Sequence, residues 1–214
     1  ERTYAAAEDW EQLVEVRGRL RDMVAEADTR CELSLGIANA YVELGRRGEA
    51  IAALEAALEE VPDDRAVLGR LRRLLLAEER WGDAASVLAR EADVAPGRAD
   101  ELELRVERAV LVRDKLSDAP EAIAEFERAR GLSSLDPRPL LALDELYDQA
   151  GDVERRVDVL EARGVIEEED GTAARLYVLA GKLNLERDPA RAAESYERAL
   201  LRVSDDPLAL EALI

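Results

Sequence analysis

The chain has 214 residues, and its 49 acidic and 30 basic side chains give a net charge of −19. Such a chain lacks the basic footprint that phosphates attract, which argues against nucleic acids and anionic membrane surfaces as partners. Hydrophobic residues make up 48% of the chain but aromatic residues only 4%, so the core must consist of Leu, Ala and Val. Ala, Leu, Glu and Arg dominate the composition, and because all four are strong helix formers we expect an all-α protein.

Two residue types limit the chemistry that the chain can perform. It contains no histidine, which removes the commonest general base, the commonest metal ligand and every triad built on them. Cys31 is the single cysteine, so an internal disulfide is excluded. It is either a thiol acidified near a helix start or a small structural residue, and we favour the second reading. We therefore expect no enzyme activity, cofactor or metal site.

Acidic runs and tryptophans are the other candidates for a site. The run from Glu167 to Asp170 lacks the spacing of a calcium loop, so a solvated helix end is the favoured reading. Trp10 and Trp81 could anchor a ligand, but they lie 71 residues apart, which favours packing between repeats. No apolar run reaches the roughly 20 residues of a membrane span, and the compartment stays open between cytoplasm and periplasm.

An internal repeat organises the chain. One stripe of small, large and small residues occurs three times, as Ala50, Leu54 and Ala57, then Ala122, Phe126 and Ala129, then Ala192, Tyr196 and Ala199. Leu54 and Phe126 lie 72 residues apart, and Phe126 and Tyr196 lie 70 apart. Offsets of three and four place each stripe on one helix face, and the small residues let a second helix approach.

The surroundings of Tyr41 show the complete pattern. In order, they contain Ile37, Ala38, Tyr41, Gly45, Ala50, Leu54, Ala57 and Pro62. This order within about 34 residues resembles the tetratricopeptide repeat. The resemblance is strongest over residues 28–62 and extends along the chain through the recurring positions. It implies an α-solenoid, a superhelix of stacked antiparallel helix hairpins, because one repeat cannot bury its own apolar face.

The repeat positions divide the chain into hairpin units. We predict one array over 1–214 that consists of a partial unit at 1–27, hairpins at 28–64, 65–97, 98–136, 137–169 and 170–206, and a partial unit at 207–214. The unit 98–136 carries one extra residue near Lys115 to Asp118, where we expect a local change in helix crossing. Neither end shows a polar capping unit, so we expect either a longer array or homo-oligomer contacts through the ends.

The resemblance also implies a binding surface. In the family, the first helices of successive hairpins line the concave side. That register predicts a partner-binding groove formed by Asn39, Glu43, Arg70, Arg73, Arg113, Glu145, Asp148, Tyr177 and Asn184. The carboxylate clamp known in part of the family is incomplete here. Asn39 and Arg70 match it, but Leu35 and Glu103 stand where it requires lysines, so we expect no binding of chaperone tails.

Three functions are compatible with this pattern. The leading hypothesis is a non-catalytic scaffold that binds a peptide or protein segment in the concave helical groove. The second is an assembly or oligomerisation element of a larger multiprotein machine, which the uncapped ends favour. The third is an enzyme, which the missing histidine and the absence of any catalytic motif oppose. The partner's identity stays open.

Overall fold

A computed structural model describes the backbone of residues 2–214 and the side chains of residues 9–214. Twelve α-helices and one π-helical turn follow one another over this range, which contains no strand. The helices are α1 Arg2–Met23, α2 Ala27–Glu43, α3 Arg47–Glu60, α4 Arg65–Ala77, α5 Trp81–Asp93, α6 Arg98–Leu111, α7 Ala119–Leu132, α8 Pro137–Ala150, α9 Val153–Ile166, α10 Asp170–Asn184, α11 Pro189–Arg202 and α12 Pro207–Ala212. The predicted all-α class is confirmed.

The helices form two compact units, Glu1–Ser117 and Asp118–Ile214. In the first unit, each helix from α1 to α6 packs against the next in the chain, and α2 also contacts α4. In the second unit, each helix from α7 to α12 likewise packs against the next. Short loops make such neighbours antiparallel. Each unit is therefore a stack of helix hairpins, which confirms the predicted α-solenoid class, whereas the proposed unit boundaries stay a prediction.

The repeated stripe lies in the core of these stacks. Leu54 on α3, Phe126 on α7 and Tyr196 on α11 are all buried, together with the alanines that flank them. The large side chain fills the space that the neighbouring small residues leave between two helices. Position along the repeat therefore decides which residues are removed from water.

Helix ends follow local turn chemistry. Gly45 after α2 and Gly151 after α8 adopt positive φ angles of 72° and 68°, a conformation that glycine reaches without strain. Asp64, Asp136 and Asp188 each accept a hydrogen bond from a backbone N–H in the first turn of the following helix. These carboxylates satisfy donors that a helix start leaves unpaired.

The extra residue of the unit 98–136 coincides with an irregular turn. After α6, residues Val112–Leu116 form a π-helical turn, and Ser117 adopts a left-handed conformation with φ 55°. The hydrogen bond of a π-helical turn spans one more residue than that of an α-helix, so such a turn accommodates an inserted residue. The sequence locates the insertion but does not predict the π-helical geometry.

Cys31 is a structural residue. Its side chain is buried, and Sγ lies 3.6 Å from the Ala57 carbonyl oxygen across the α2/α3 hairpin. Burial, followed by the charges of Asp64, Glu60 and Asp28, raises the pKa of the Cys31 thiol. A protonated, enclosed thiol is a poor nucleophile.

Candidate partner-binding surface

Four of the five predicted groove residues of the first unit lie on two helices in contact. Asn39 and Glu43 are exposed on α2, and Arg70 and Arg73 lie on α4. Because α2 contacts α4, the two pairs occupy neighbouring first helices of successive hairpins. Spacings of four and three keep each pair on one helix face. This part of the surface has mixed charge.

Arg70 carries a donor that the protein leaves unused. Its Nε is buried and has no hydrogen-bond acceptor among the described residues. Leaving a buried N–H without a partner costs about 1–3 kcal/mol. Nearby Arg73 donates from Nε only to the Gly69 carbonyl oxygen, at 3.1 Å. Neither arginine forms an ion pair with a carboxylate in the part of the chain that the structure describes.

The adjacent Arg72 shows the opposite arrangement. Its Nε lies 2.8 Å from Glu91 and its Nη1 lies 2.7 Å from Glu107. Burial alone would lower the pKa of the Arg72 guanidinium, but the charges and hydrogen bonds of Glu107 and Glu91 have the larger effect and raise this pKa. Arg72 therefore joins α4 to α5 and α6 and is not available to a ligand.

Arg113 lies on the π-helical turn and is already engaged. Its Nε donates to Asp114 Oδ1 at 2.6 Å. This hydrogen bond lowers the pKa of the Asp114 carboxyl. The predicted groove role of Arg113 would require a ligand to compete with that carboxylate.

The acidic groove residues of the second unit lie on α8. Glu145 and Asp148 are both exposed there. Asp148 pairs with Arg156 of α9, which also binds Asp144 Oδ1 at 2.9 Å. Asp148 therefore helps to join α8 to α9.

The structure corrects the prediction for Tyr177. Its side chain is only 5% exposed, and a Cβ added at Gly164 would come within 2.7 Å of Tyr177 Cζ. The ring lies directly over Gly164 of α9. Because Gly164 has no side chain, the Tyr177 ring fits against α9 in the core. Tyr177 is therefore not a surface residue that a partner could contact.

Asn184 is also buried, at 5% exposure. Unlike Tyr177, it retains an unused polar atom, because its Nδ2 has no acceptor among the described side and main chains. Arg187, three residues later, was not identified from the sequence. Its guanidinium has no ion-pair partner within the described range. A cation in a loop carries no periodic signal, so pattern analysis passes over it.

Among the described residues, no group of three or more Cys, Asp or Glu side chains is placed to hold a metal ion. None of the helices within that range combines the length and apolar character needed to cross a bilayer.

Comparisons with known proteins agree with the hairpin pattern. Residues 41–102 match the family model of the tetratricopeptide repeat. No curated protein matches the chain.

Solved structures that are similar to this chain include the crystal structure of YrrB, described as a TPR protein with an unusual peptide-binding site. It is 16% identical with a TM-score of 0.46, covering 84% of this chain and 90% of that chain. MamA MSR-1 C2 is 22% identical with a TM-score of 0.45, and the match covers 78% of this chain and 97% of that chain. MamA from Desulfovibrio magneticus RS-1 is 16% identical with a TM-score of 0.45, covering 83% and 97%. The match of residues 41–102 to the family model confirms the predicted resemblance of this chain to the tetratricopeptide repeat family.

Proposed function

We propose that the chain is a non-catalytic scaffold that binds a peptide or protein segment along the first helices of its hairpins. The observation that carries the proposal is the unpaired buried Nε of Arg70. Arg70 lies on α4, the first helix of its hairpin. Helix α4 contacts α2, on which Asn39 and Glu43 are exposed. A peptide supplies carbonyl and carboxylate oxygens that accept from such a donor.

The charge distribution supports a partner that presents an acidic group at this point. The chain as a whole carries −19, yet Arg70 and Arg73 stand together without carboxylate partners among the described residues. A local pair of cations on an acidic protein orients a partner more than it adds to the affinity. The repeats at 41–102, which include α4, support a protein as the partner.

The test locates the contact by photo-crosslinking. A photoreactive amino acid replaces Asn39 or Arg73, which lie on the first helices α2 and α4. As matched controls, it replaces Glu59 or Ser86, which are exposed on the second helices α3 and α5. We expect a discrete crosslinked partner from the first-helix positions and none from the second-helix positions. Equal crosslinking at both sets would remove the groove from the proposal.

Charge reversal then measures the contribution of the arginines to binding. Arg70→Glu with Arg73→Glu should weaken binding of the captured partner at least about tenfold, because two donors become repulsive. Arg47→Glu with Arg90→Glu on α3 and α5 changes the net charge equally and should alter affinity less than about twofold. Circular dichroism checks that helix content is unchanged. Equal affinity in both double variants would overturn the arginine role.

A second function, assembly with further copies or subunits, is favoured by one surface. Val16, Leu20 and Met23 are exposed on α1, and their spacings of four and three place them on one helix face. Contiguous exposed apolar side chains mark interaction sites. Sedimentation velocity should show mass rising with concentration, and replacement of all three by Gln should abolish the rise. Leu201→Gln, at an exposed leucine on α11, is the control, and a concentration-independent monomer contradicts this alternative.

A further inference from the structure

A polar pocket lies in the second unit beside the loop between α10 and α11. It has a volume of about 210 Å³. Its lining residues are Glu154 at the start of α9, Asn184 at the end of α10, Arg187 and Asp188 in the loop, and Arg191 in the first turn of α11. Of these, only Asn184 belongs to the groove that the repeat register predicts.

Asn184 supplies the first unused donor. Its side chain is 5% exposed and its Nδ2 has no acceptor among the described residues. Its backbone carbonyl accepts from the Arg187 N–H at 3.0 Å and the Asp188 N–H at 2.8 Å, which holds the loop against the end of α10. The terminal torsion of an asparagine amide is broad, so Nδ2 can turn toward the pocket. A buried amide donor without an acceptor indicates a missing partner.

Arg187 supplies the second donor. It is exposed, and no carboxylate in the described part of the chain pairs with it. Arg191, by contrast, is fully engaged. Its side chain binds Asp158 and lies 2.9 Å from Glu161, and its N–H donates to Asp188 Oδ1 at 3.0 Å. Arg187 is therefore the cation of this pocket that a ligand can use.

The start of α11 adds no free donor to the pocket. Asp188 is the N-cap of this 14-residue helix, and its Oδ1 already accepts from the Arg191 N–H. Pro189, which follows it, has no backbone N–H to donate. The unpaired amide of Asn184 and the unpaired guanidinium of Arg187 are therefore the two donors that this pocket leaves for a ligand.

We propose that this pocket binds a carboxylate group, with Arg187 and the Asn184 amide as its donors. The proposal deepens the proposed function, because the carboxylate would come from the bound protein, either its C-terminus or an acidic side chain. Guanidinium–carboxylate hydrogen bonds are charge-assisted and about twice as strong as neutral ones.

The carboxylate of Glu154 repels an anionic ligand, which should make the pocket selective among anions. This carboxylate lines the same pocket and is exposed without a partner among the described residues. Repulsion from Glu154 grows with the ligand's charge. A singly charged carboxylate should therefore bind in preference to inorganic phosphate.

The test is an NMR titration of the full chain with small probes. N-acetylglycine represents a peptide C-terminus, and N-acetylglutamic acid α-amide represents an acidic side chain. We expect one of them to shift the Asn184 side-chain amide resonance, which is assigned by its loss in Asn184→Ser. Inorganic phosphate and the neutral N-acetylglycine amide should shift it less at equal concentration. Which carboxylate binds more tightly identifies the source.

Variants with opposite charge changes sharpen the test. Arg187→Gln should weaken probe binding about tenfold, because a hydrogen-bonded charge is lost. Glu154→Gln should strengthen it about two- to threefold, because repulsion is relieved. Lys182→Gln on α10 and Glu194→Gln on α11 change the same charges at exposed positions outside the pocket. Both should leave binding within about twofold of wild type.

Each of three results would overturn the proposal. The first is that neither carboxylate shifts the Asn184 side-chain resonance, and the second is that phosphate binds more tightly than both. The third is that Lys182→Gln weakens probe binding as much as Arg187→Gln does. If Arg187→Gln lowers helix content, Arg187→Lys and Glu154→Gln decide instead. No protein partner is used, so the carboxylate pocket can fail while the crosslinking test of the scaffold succeeds, and the reverse.

Discussion

The hairpins α2/α3 and α10/α11 occupy equivalent positions of the repeat in different units, and they pack their cores differently. In α2/α3 the large core residue is Leu54, and the position after the repeat's small Ala38 is Asn39, which is exposed. In α10/α11 the large residue is Tyr196, and the equivalent of Asn39 is the buried Gly181. A Cβ at Gly181 would lie 2.7 Å from Tyr196 Cε1. The larger side chain of Tyr196 on α11 thus fits because Gly181 on α10 has no side chain.

The second helices of the two hairpins also begin differently. Helix α3 follows Arg46, which makes no side-chain cap, whereas α11 follows Asp188, whose Oδ1 accepts from the Arg191 N–H. The repeat therefore preserves where the core lies, whereas the packing partner and the helix start depend on local residues.

The largest expected effect comes from filling the glycine. Gly181→Ala should lower the free energy of unfolding by about 1–3 kcal/mol, because the new methyl overlaps the Tyr196 ring. Asn39→Ala, the equivalent change in α2, should stay within about 0.5 kcal/mol because its side chain is exposed. Urea denaturation measures both. Tyr196→Leu should restore much of the loss in the Gly181→Ala background, and a loss that persists there would refute the overlap.

Glu161 gives an intermediate, pH-dependent effect. Its side chain is 15% exposed and accepts hydrogen bonds from Arg191 at 2.9 Å and Ser195 at 2.8 Å. Burial alone would raise the pKa of Glu161, but these hydrogen bonds outweigh it and lower the pKa below its usual 4.5. The stabilisation is therefore complete above about pH 4.5 and disappears as the pH falls through the lowered value.

Glu161→Gln should accordingly cost about 1–2 kcal/mol at neutral pH, and its denaturation curve should converge with wild type in acid. The matched change is Glu11→Gln, which breaks the Glu11–Arg46 pair, whose side chains are 55% and 48% exposed. That pair should contribute less than about 0.5 kcal/mol at any pH. Equal costs for the two variants, or a Glu161→Gln cost that does not change with pH, would contradict the assignment.

The smallest effect concerns the helix starts. Asp188→Ala should lower stability by about 1 kcal/mol, because the Arg191 N–H loses its acceptor. Arg46→Asp should raise stability by about 0.5–1 kcal/mol by giving α3 the cap that α11 already has. Thermal unfolding monitored by circular dichroism measures both. A neutral Asp188→Ala would show that the cap adds nothing to the stability of α11.

The exposure of Asn39 and Glu43 could be predicted from the sequence, whereas the burial of Tyr177 could not. Asn39 and Glu43 are exposed on the predicted helix, since period and register place them away from the stripe. Tyr177 occupies a groove position by register, yet it is buried because Gly164 on another helix leaves room for its ring. Register describes one helix, whereas burial depends on the facing helix.

The helical class, the hairpin stacking and the buried stripe of Leu54, Phe126 and Tyr196 follow from the amino-acid pattern, because they depend on the spacing of apolar residues within one segment. The folded chain was needed to show that Tyr177 is buried, that Arg72 pairs with carboxylates while Arg70 does not, and that Asn184 and Arg187 line one pocket. Those facts depend on which side chains from distant segments meet, and a repeating pattern carries no information about single contacts between its copies.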